Sequence, residues 1–347
     1  VETVPDSLRC QHRRTLLKTL ACSTYFALQG CGKASVSRKT HTGDRPIQVV
    51  ATTALVADLV RNIAGPNRVQ VVSLMGEGVD PHMYKGSPRD VRDLAGADLV
   101  VAGGLHLEGK LIGVLHRLGR QKPVHLLGDE LTALAESKNL PDPWIRDDGM
   151  PDPHCWFDVS LWQREAELFS QILCDYDPGH ASEFQTNLKN YSAELIKLDA
   201  EIRRNIDQIP ADRRLLVTSH DAFRYFGRAY GIQVEGIQGL STESESGVRR
   251  TNQLVDLVIS RRIPAIFVET SVSDDNVKAL VEGAQARGHK IRIGGSLFSD
   301  APGAFGKPEG TYAGMLRHNV RTFVQAMTQD LKPLTENRSS PFKPLNG

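Results

Sequence analysis

From residue 46 the chain alternates between short apolar runs and longer amphipathic stretches. IQVVATT reads as a strand, and ALVADLVRNIAG as a helix closed by Gly65-Pro66. VQVVSLM is a strand, followed by SPRDVRDLAGA, a helix with Ser87 as N-cap and Pro88 in its first turn. ADLVVAGG, LEGKLIGVLHRLG and PVHLLG continue as strand, helix and strand. Continuous Val/Leu runs alternating with helices predict a parallel sheet covered on both faces. The second half repeats the pattern. RLLVTSH, IQVEGIQ, AIFVET and KIRIGG read as strands, separated by DAFRYFGRAYG, GVRRTNQLVDLVISRR and DDNVKALVEGAQARG as helices. TYAGMLRHNVRTFVQAMTQ closes the chain as a helix, so the fold class is α/β with two similar lobes.

Between the halves, Phe184, Leu188, Tyr191, Leu195, Leu198, Ile202, Ile206 and Ile209 recur at steps of three and four. That is one stripe on a helix of period 3.6, opened by Pro178 and ended by Pro210. A long helix with a single apolar stripe predicts a stiff strut joining two lobes; a coiled-coil partner is the alternative. The domains are then an N-terminal lobe over 46–177, a linking helix over 178–210 and a C-terminal lobe over 211–333. A polar tail covers 334–347.

The first 31 residues differ in character. Arg9, Arg13, Arg14 and Lys18 precede a short apolar run that closes on Leu28-Gln29-Gly30-Cys31. A basic head, a short apolar run and a small residue at the cut make an export signal rather than a membrane span. Leu-x-Gly-Cys resembles the bacterial lipobox, which makes Cys31 the lipidated residue, although Gln29 is not the usual small residue there. Residues 13 and 14 also resemble a twin-arginine signal, and an ordinary cleaved signal is the alternative. Residues 32–45 are polar and read as a tether. The expected location is the periplasm or cell envelope, with a lipid anchor in the membrane.

Composition narrows the partners. Of 347 residues, 40% are hydrophobic, which suffices for real cores, and the formal net charge is +1. That balance argues against nucleic acid, which requires a basic excess. With Cys10, Cys22 and Cys31 assigned to export, only Cys155 and Cys174 remain, and no Cys-x-x-Cys zinc motif exists.

Asp-Pro-His occurs twice, in GEGVDPHMYKGS and in MPDPHCWFDVS. His82 follows the strand VQVVSLM, and His154 follows the last strand of the first lobe. His220 ends LLVTS, and Asp300 follows KIRIGG. All four stand at or beyond strand carboxyl ends, where open α/β sheets place ligands, and two come from each lobe. Three imidazoles and a carboxylate suit a first-row divalent metal in a cleft between the lobes. The short-range zinc spacings are absent, and a loop histidine taken alone is more often solvated or a local hydrogen-bond donor.

VDPHMYKGSPRDVRDLAGADLVVAGGLHLE, DPHCWFDVSLW, VTSHDAFRYFGRAYGI, AIFVETSVS, GGSLFSDAPG and GTYAGMLRHNV occur in this order. Together they resemble the metal-binding substrate-binding proteins of zinc/manganese ABC importers, over about residues 47 to 328. The resemblance implies two α/β lobes joined by a rigid helix, with Zn²⁺ or Mn²⁺ held between them by His82, His154, His220 and Asp300. It implies an ABC permease as partner and a monomeric, non-enzymatic binding protein. Some manganese binders carry Glu where this chain has His220. Many zinc-specific members carry a long His-rich loop, whereas residues 83–153 here hold only His106, His116 and His125. That is the subgroup in which either metal is plausible. Alternatives are a surface adhesin of the same family and a zinc hydrolase, for which no general base or nucleophile motif appears.

Asp80 and Asp152 are expected either to orient a ligating imidazole or to serve plain turn chemistry. Asp158 and Asp221 are outer acceptors or helix N-caps. Glu269 ends a strand facing the cleft and is an outer acceptor or an alternative carboxylate ligand. Trp156, Phe157, Phe223 and Tyr225 form apolar walls or ordinary core. His106 and His318 are structural or rim residues, and the Cys155 side chain is expected to point away from the site.

Overall fold

The computed structural model describes residues 40–243 and 247–329; the export segment with Cys31, most of the tether and the polar tail lie outside these. The first half runs β1 (Ile47–Ala51), α1 (Ala54–Ala64), β2 (Val69–Ser73), α2 (Pro88–Gly96), β3 (Leu99–Ala102), α3 (Ile112–Leu118), β4 (Val124–Leu126) and α4 (Leu127–Ser137). The four strands form one parallel sheet in the order β2-β1-β3-β4. Alternate residues of β1 and β3 enter different cores. Val49, Ala51, Leu99 and Val101 join the main core, while Val50, Val100 and Ala102 pack with Met75, Leu94, Leu111 and Leu115 on the other face. A strand buried on both sides has no polar face to show, which is why these runs read as continuously apolar.

β4 does not lead straight to His154. Helix α4 and a two-residue antiparallel hairpin, β5 (Arg146–Asp147) with β6 (Met150–Pro151), intervene, so His154 does not follow the last parallel strand directly. A 3-10 turn over Cys155–Phe157 then leads into α5 (Val159–Tyr176). Asp158 caps this helix, accepting the Ser160 N–H at 3.0 Å.

The strut is α6 (Ala181–Ile206), with a 3-10 turn over Pro178–His180 ahead of it. It is a few residues shorter at each end than 178–210, because the first turn tightens after Pro178 and the helix frays before Pro210. The predicted stripe is the buried face: Phe184, Tyr191, Leu195, Leu198, Ile202 and Ile206 are buried, and Leu188 is partly buried against the same core. Ile196, off the stripe, is exposed.

The second half runs β7 (Leu215–Thr218), α7 (Arg224–Tyr230), β8 (Gln233–Gly236), α8 (Val248–Ser260), β9 (Ala265–Glu269), α9 (Asp275–Ala286), β10 (Arg292–Leu297) and α10 (Tyr312–Thr328). Its strands pair in parallel as β7-β8 and β9-β10, with β7 alongside β9. This sheet is less regular than the first. The β9-β10 register shifts between Ile293 and Ser296, at Gly294-Gly295, and Gly295 has φ of 144°. A Cβ on Gly294 would lie 2.7 Å from the Phe267 ring, so the extra residue bulges where only glycine fits.

The halves share one core. The helix α10 packs against α6 and reaches α1, and Tyr312 stacks on Trp162 of α5 with ring centroids 4.7 Å apart. The Tyr312 N–H donates to Asp58 of α1 at 2.9 Å, and its hydroxyl donates to the Trp156 carbonyl at 2.8 Å.

Candidate metal centre

The repeated Asp-Pro-His has a common local cause. Proline supplies no N–H, so the Asp carboxylate reaches past it to the histidine N–H, closing a tight turn. Asp80 Oδ1 accepts the His82 N–H at 2.8 Å, and Asp152 Oδ1 accepts the His154 N–H at 3.0 Å. The two motifs then diverge. Asp152 Oδ1 also accepts from His154 Nδ1 at 2.8 Å, whereas Asp80 turns its second oxygen to the Thr242 hydroxyl. Asp80 therefore shapes a loop, and Asp152 shapes a loop and holds a ring. The His82 loop is pressed from below by the 3-10 turn Gly109–Leu111. A Cβ at Gly109 would lie 2.5 Å from the His82 carbonyl oxygen, so that approach requires glycine.

His220 leaves β7 beside the end of β9, where Glu269 receives it twice. Oε1 accepts the His220 N–H at 2.8 Å, and Oε2 accepts from Nδ1. Asp300 follows β10, and its Oδ2 accepts the Ser271 hydroxyl at 3.0 Å. Ser271 Oγ also lies 2.8 Å from Ser299 Oγ, and the Ser299 carbonyl accepts from Trp156 Nε1 at 3.1 Å. Ser271 and Ser299 were not singled out in the sequence; Ser271 lies two residues past Glu269, at the same strand end.

With Nδ1 of His154 and His220 donating to carboxylates, their Nε2 lone pairs point inward. His154 Nε2 lies 3.3 Å from His82 Nε2 and 3.3 Å from His220 Nε2. Asp300 Oδ1, buried without a hydrogen-bond partner, lies 3.5 Å from His154 Nε2 and 3.4 Å from His220 Nε2. The donor atoms of all four residues fall within 4.8 Å of one another. Four donors held about 2.1 Å from one ion at tetrahedral angles stand about 3.4 Å apart. Lone pairs and a carboxylate oxygen this close repel each other unless positive charge, from protons or from a cation, sits among them, so the constellation fits a divalent cation that takes the place of protons.

The site is buried. His154 and His220 are fully buried, Asp300 is 1% exposed and His82 5%. Trp156 stands edge-on to His154 at 5.2 Å, and Phe157 packs on Phe223 at 4.3 Å. Tyr225 is tied to the His154 segment: its hydroxyl accepts the Ile145 N–H at 3.0 Å and donates to the Asp152 carbonyl at 2.8 Å.

Without a metal, the carboxylates keep protons on the rings. Burial opposes charge on His154, but Asp152 and Asp300 outweigh it and push its pKa up to about 9. His220 is raised well above its ordinary value: burial works against it, and Glu269 and Asp300 overcome it. Asp300 is held well below the carboxylate range; burial resists, but His220 and His154 prevail. His82 has no carboxylate on its ring among the described residues, and burial lowers it to about 4.

The remaining candidates lie nearby in other roles. Asp158 pairs with Arg228 at 3.2 Å besides capping α5. Asp221 faces Arg224 at 3.7 Å, and burial raises its carboxyl to about 7; no hydrogen bond joins it to a ligand imidazole among the described residues. Cys155 turns its thiol to Glu165 at 3.1 Å, away from the donors, and both Cys155 and Cys174 are free thiols. His106 is exposed, and His318 bonds the Ser296 carbonyl at 3.0 Å.

Residues 49–326 match the family model described as zinc-uptake complex component A, periplasmic. The chain is 44% identical over 315 residues to the manganese-binding lipoprotein MntA of Bacillus subtilis, covering 91% of this chain and 99% of that protein. It is 41% identical over 317 residues to the zinc-binding protein TroA of Treponema pallidum, covering 90% of this chain and all of the other. The solved structure of that zinc-binding protein superposes with a TM-score of 0.76 at 43% identity, covering 81% of this chain and 99% of that one.

Proposed function

The chain belongs to the family of periplasmic component A proteins of zinc-uptake complexes, and on that premise we propose that it captures Zn²⁺ or Mn²⁺ outside the cytoplasm and delivers it to an ABC permease. One observation carries the reading: three imidazole nitrogens and an unpartnered carboxylate oxygen converge at ion-binding spacing inside a buried pocket. His82, His154, His220 and Asp300 are the proposed ligands, with Asp152 and Glu269 fixing two of the rings. The metal is cargo, and four protein donors leave it no open position for a catalytic water. That supports binding without hydrolysis, in keeping with relatives that are metal-binding lipoproteins rather than enzymes. Relatives named as metal ABC transporter substrate-binding lipoproteins also favour transport over adhesion. Lipidation at Cys31 and a monomeric state complete the proposal. The relatives include a manganese binder and a zinc binder, so the reading keeps both metals. Elemental analysis of untagged protein should find one metal per chain, and competition between Zn²⁺ and Mn²⁺ ranks them; protein that retains neither after dialysis would refute the reading.

The strut makes a second expectation. No glycine occurs between Ala181 and Ile209, and bending α6 would break i→i−4 bonds while unpacking its buried stripe. Loading should therefore move ligand loops rather than swing whole lobes. Small-angle scattering of metal-free and loaded protein should give the same radius of gyration within error. A clear compaction on loading would mean the helix yields.

A further inference from the structure

Among the four donors, His82 is held differently. Asp152 and Glu269 grip the Nδ1 atoms of His154 and His220, but no carboxylate reaches the His82 ring among the described residues. His82 is also the most exposed of the set, and Met83 beside it is 42% exposed. What fixes His82 is its backbone, through Asp80 Oδ1, which takes the N–H of His82 at 2.8 Å and that of Met83 at 3.4 Å.

Asp80 is in turn fixed from the other half of the chain. Its Oδ2 accepts the hydroxyl of Thr242, which lies between β8 and α8. One residue on, Glu243 pairs with Lys110 at 3.5 Å, but both ends are about half exposed, and such a pair contributes little. The Thr242–Asp80 bond is partly buried and charge-assisted, so it is the stronger of the two ties. A carboxylate with one oxygen on the His82 turn and the other on Thr242 transmits the position of one segment to the other.

We infer that Thr242 is a positioning residue for His82: acting through Asp80, it holds the outermost ligand in place and sets the rate at which metal leaves. This rests on the proposed metal-binding function. Metal leaving a closed site must lose its ligands one at a time, and the ligand with the least-held ring and the most exposed position leaves first. Displacing the Thr242 segment frees Asp80 to rotate and His82 to follow, while His154, His220 and Asp300 stay clamped. A permease that shifted this segment on docking would open the site without moving either lobe.

The test uses the full chain loaded with Zn²⁺ and mixed rapidly with excess chelator. Release is followed by intrinsic tryptophan fluorescence, to which Trp156 contributes from 5.2 Å away from the His154 ring. Thr242→Val keeps the shape and removes the hydroxyl. It should release zinc about tenfold faster, the scale of losing one hydrogen bond to a charged group, with the association rate unchanged. Thr242→Ser restores the hydroxyl and should release at the native rate. Valine releasing as slowly as native, or serine as fast as valine, would overturn the inference, the second because the methyl would then be what matters. Native protein that takes up neither Zn²⁺ nor Mn²⁺ would instead fail the binding reading itself.

Discussion

Replacing Asp300 with alanine should reduce metal affinity more than about a hundredfold, beyond the 10–100-fold loss typical of outer hydrogen-bond partners. Asp300 supplies the only carboxylate oxygen among the four clustered donors, and that oxygen is buried without a partner. Its removal takes away a ligand and leaves the cation's charge uncompensated in a site closed to bulk solvent. His154→Ala and His220→Ala should be comparably severe. His82→Ala should be the mildest of the four, because that ring is the least fixed and its place is nearest to solvent. Glu269→Gln and Asp152→Asn keep size and hydrogen bonding but weaken the grip on Nδ1, and should fall in the 10–100-fold range. Titration calorimetry reads the whole series, and circular dichroism checks that each metal-free variant is folded. Native affinity in any of the four alanine variants would remove that residue from the ligand set, and a Glu269→Gln loss as large as that of Asp300→Ala would make Glu269 a ligand itself.

The second large effect is on protons. In the metal-free protein His154 titrates at about 9, and His220 is raised well above the ordinary histidine value. Both rings are therefore protonated at neutral pH, and a metal that takes their Nε2 lone pairs must expel those protons. Affinity should rise about tenfold per pH unit for each proton displaced from neutrality upward, and the slope should lose the His154 proton above about 9, where that ring becomes neutral unaided. The ordinary histidine value, about 6.5, would place this rise too low. His82, lowered to about 4, adds nothing to the slope above that region. The sign for stability is opposite. A raised pKa means that the folded metal-free protein binds protons more tightly than the unfolded chain. That stabilisation is complete below about 6.5 and is lost as pH rises through about 9. Calorimetry in buffers of different ionisation enthalpy counts the protons released. A release near zero at neutral pH would show that the carboxylates do not hold these rings charged.

Much of this was legible before any coordinates. The alternation of apolar runs specified the first sheet because both faces of its central strands β1 and β3 are covered, and the three-and-four stripe specified α6 because one helix face is buried along its length. Strand-end positions pointed to His82, His220 and Asp300, which follow the parallel strands β2, β7 and β10, whereas His154 arrives from the antiparallel β5-β6 hairpin and was placed by its Asp-Pro-His motif instead. The roles of Asp80 and Asp152 were not separable. Both stand two residues before a histidine, and whether the carboxylate also reaches the ring depends on what else approaches it; for Asp80 that is Thr242. Thr242 and Ser271 were invisible because a hydroxyl in a polar loop carries no pattern of its own. KIRIGG read as one plain strand, yet its Gly-Gly is where the register slips, a signal available in the sequence and not used.

The lobes that meet at the proposed metal site are not interchangeable parts. Tyr312, near the end of the described chain, stacks on Trp162, donates its N–H to Asp58 and seats its hydroxyl on the Trp156 carbonyl, all in the first half. Evolution cannot therefore reshuffle this protein by swapping one half with a relative's at the natural-looking joint near Pro210. A chimera made there would inherit both sets of ligands and still mismatch the seam along α10. It should melt below both parents until compensating changes accumulate on α1 and α5. Metal preference in such a lineage is free to drift through single residues around the pocket, while the two halves must be inherited together.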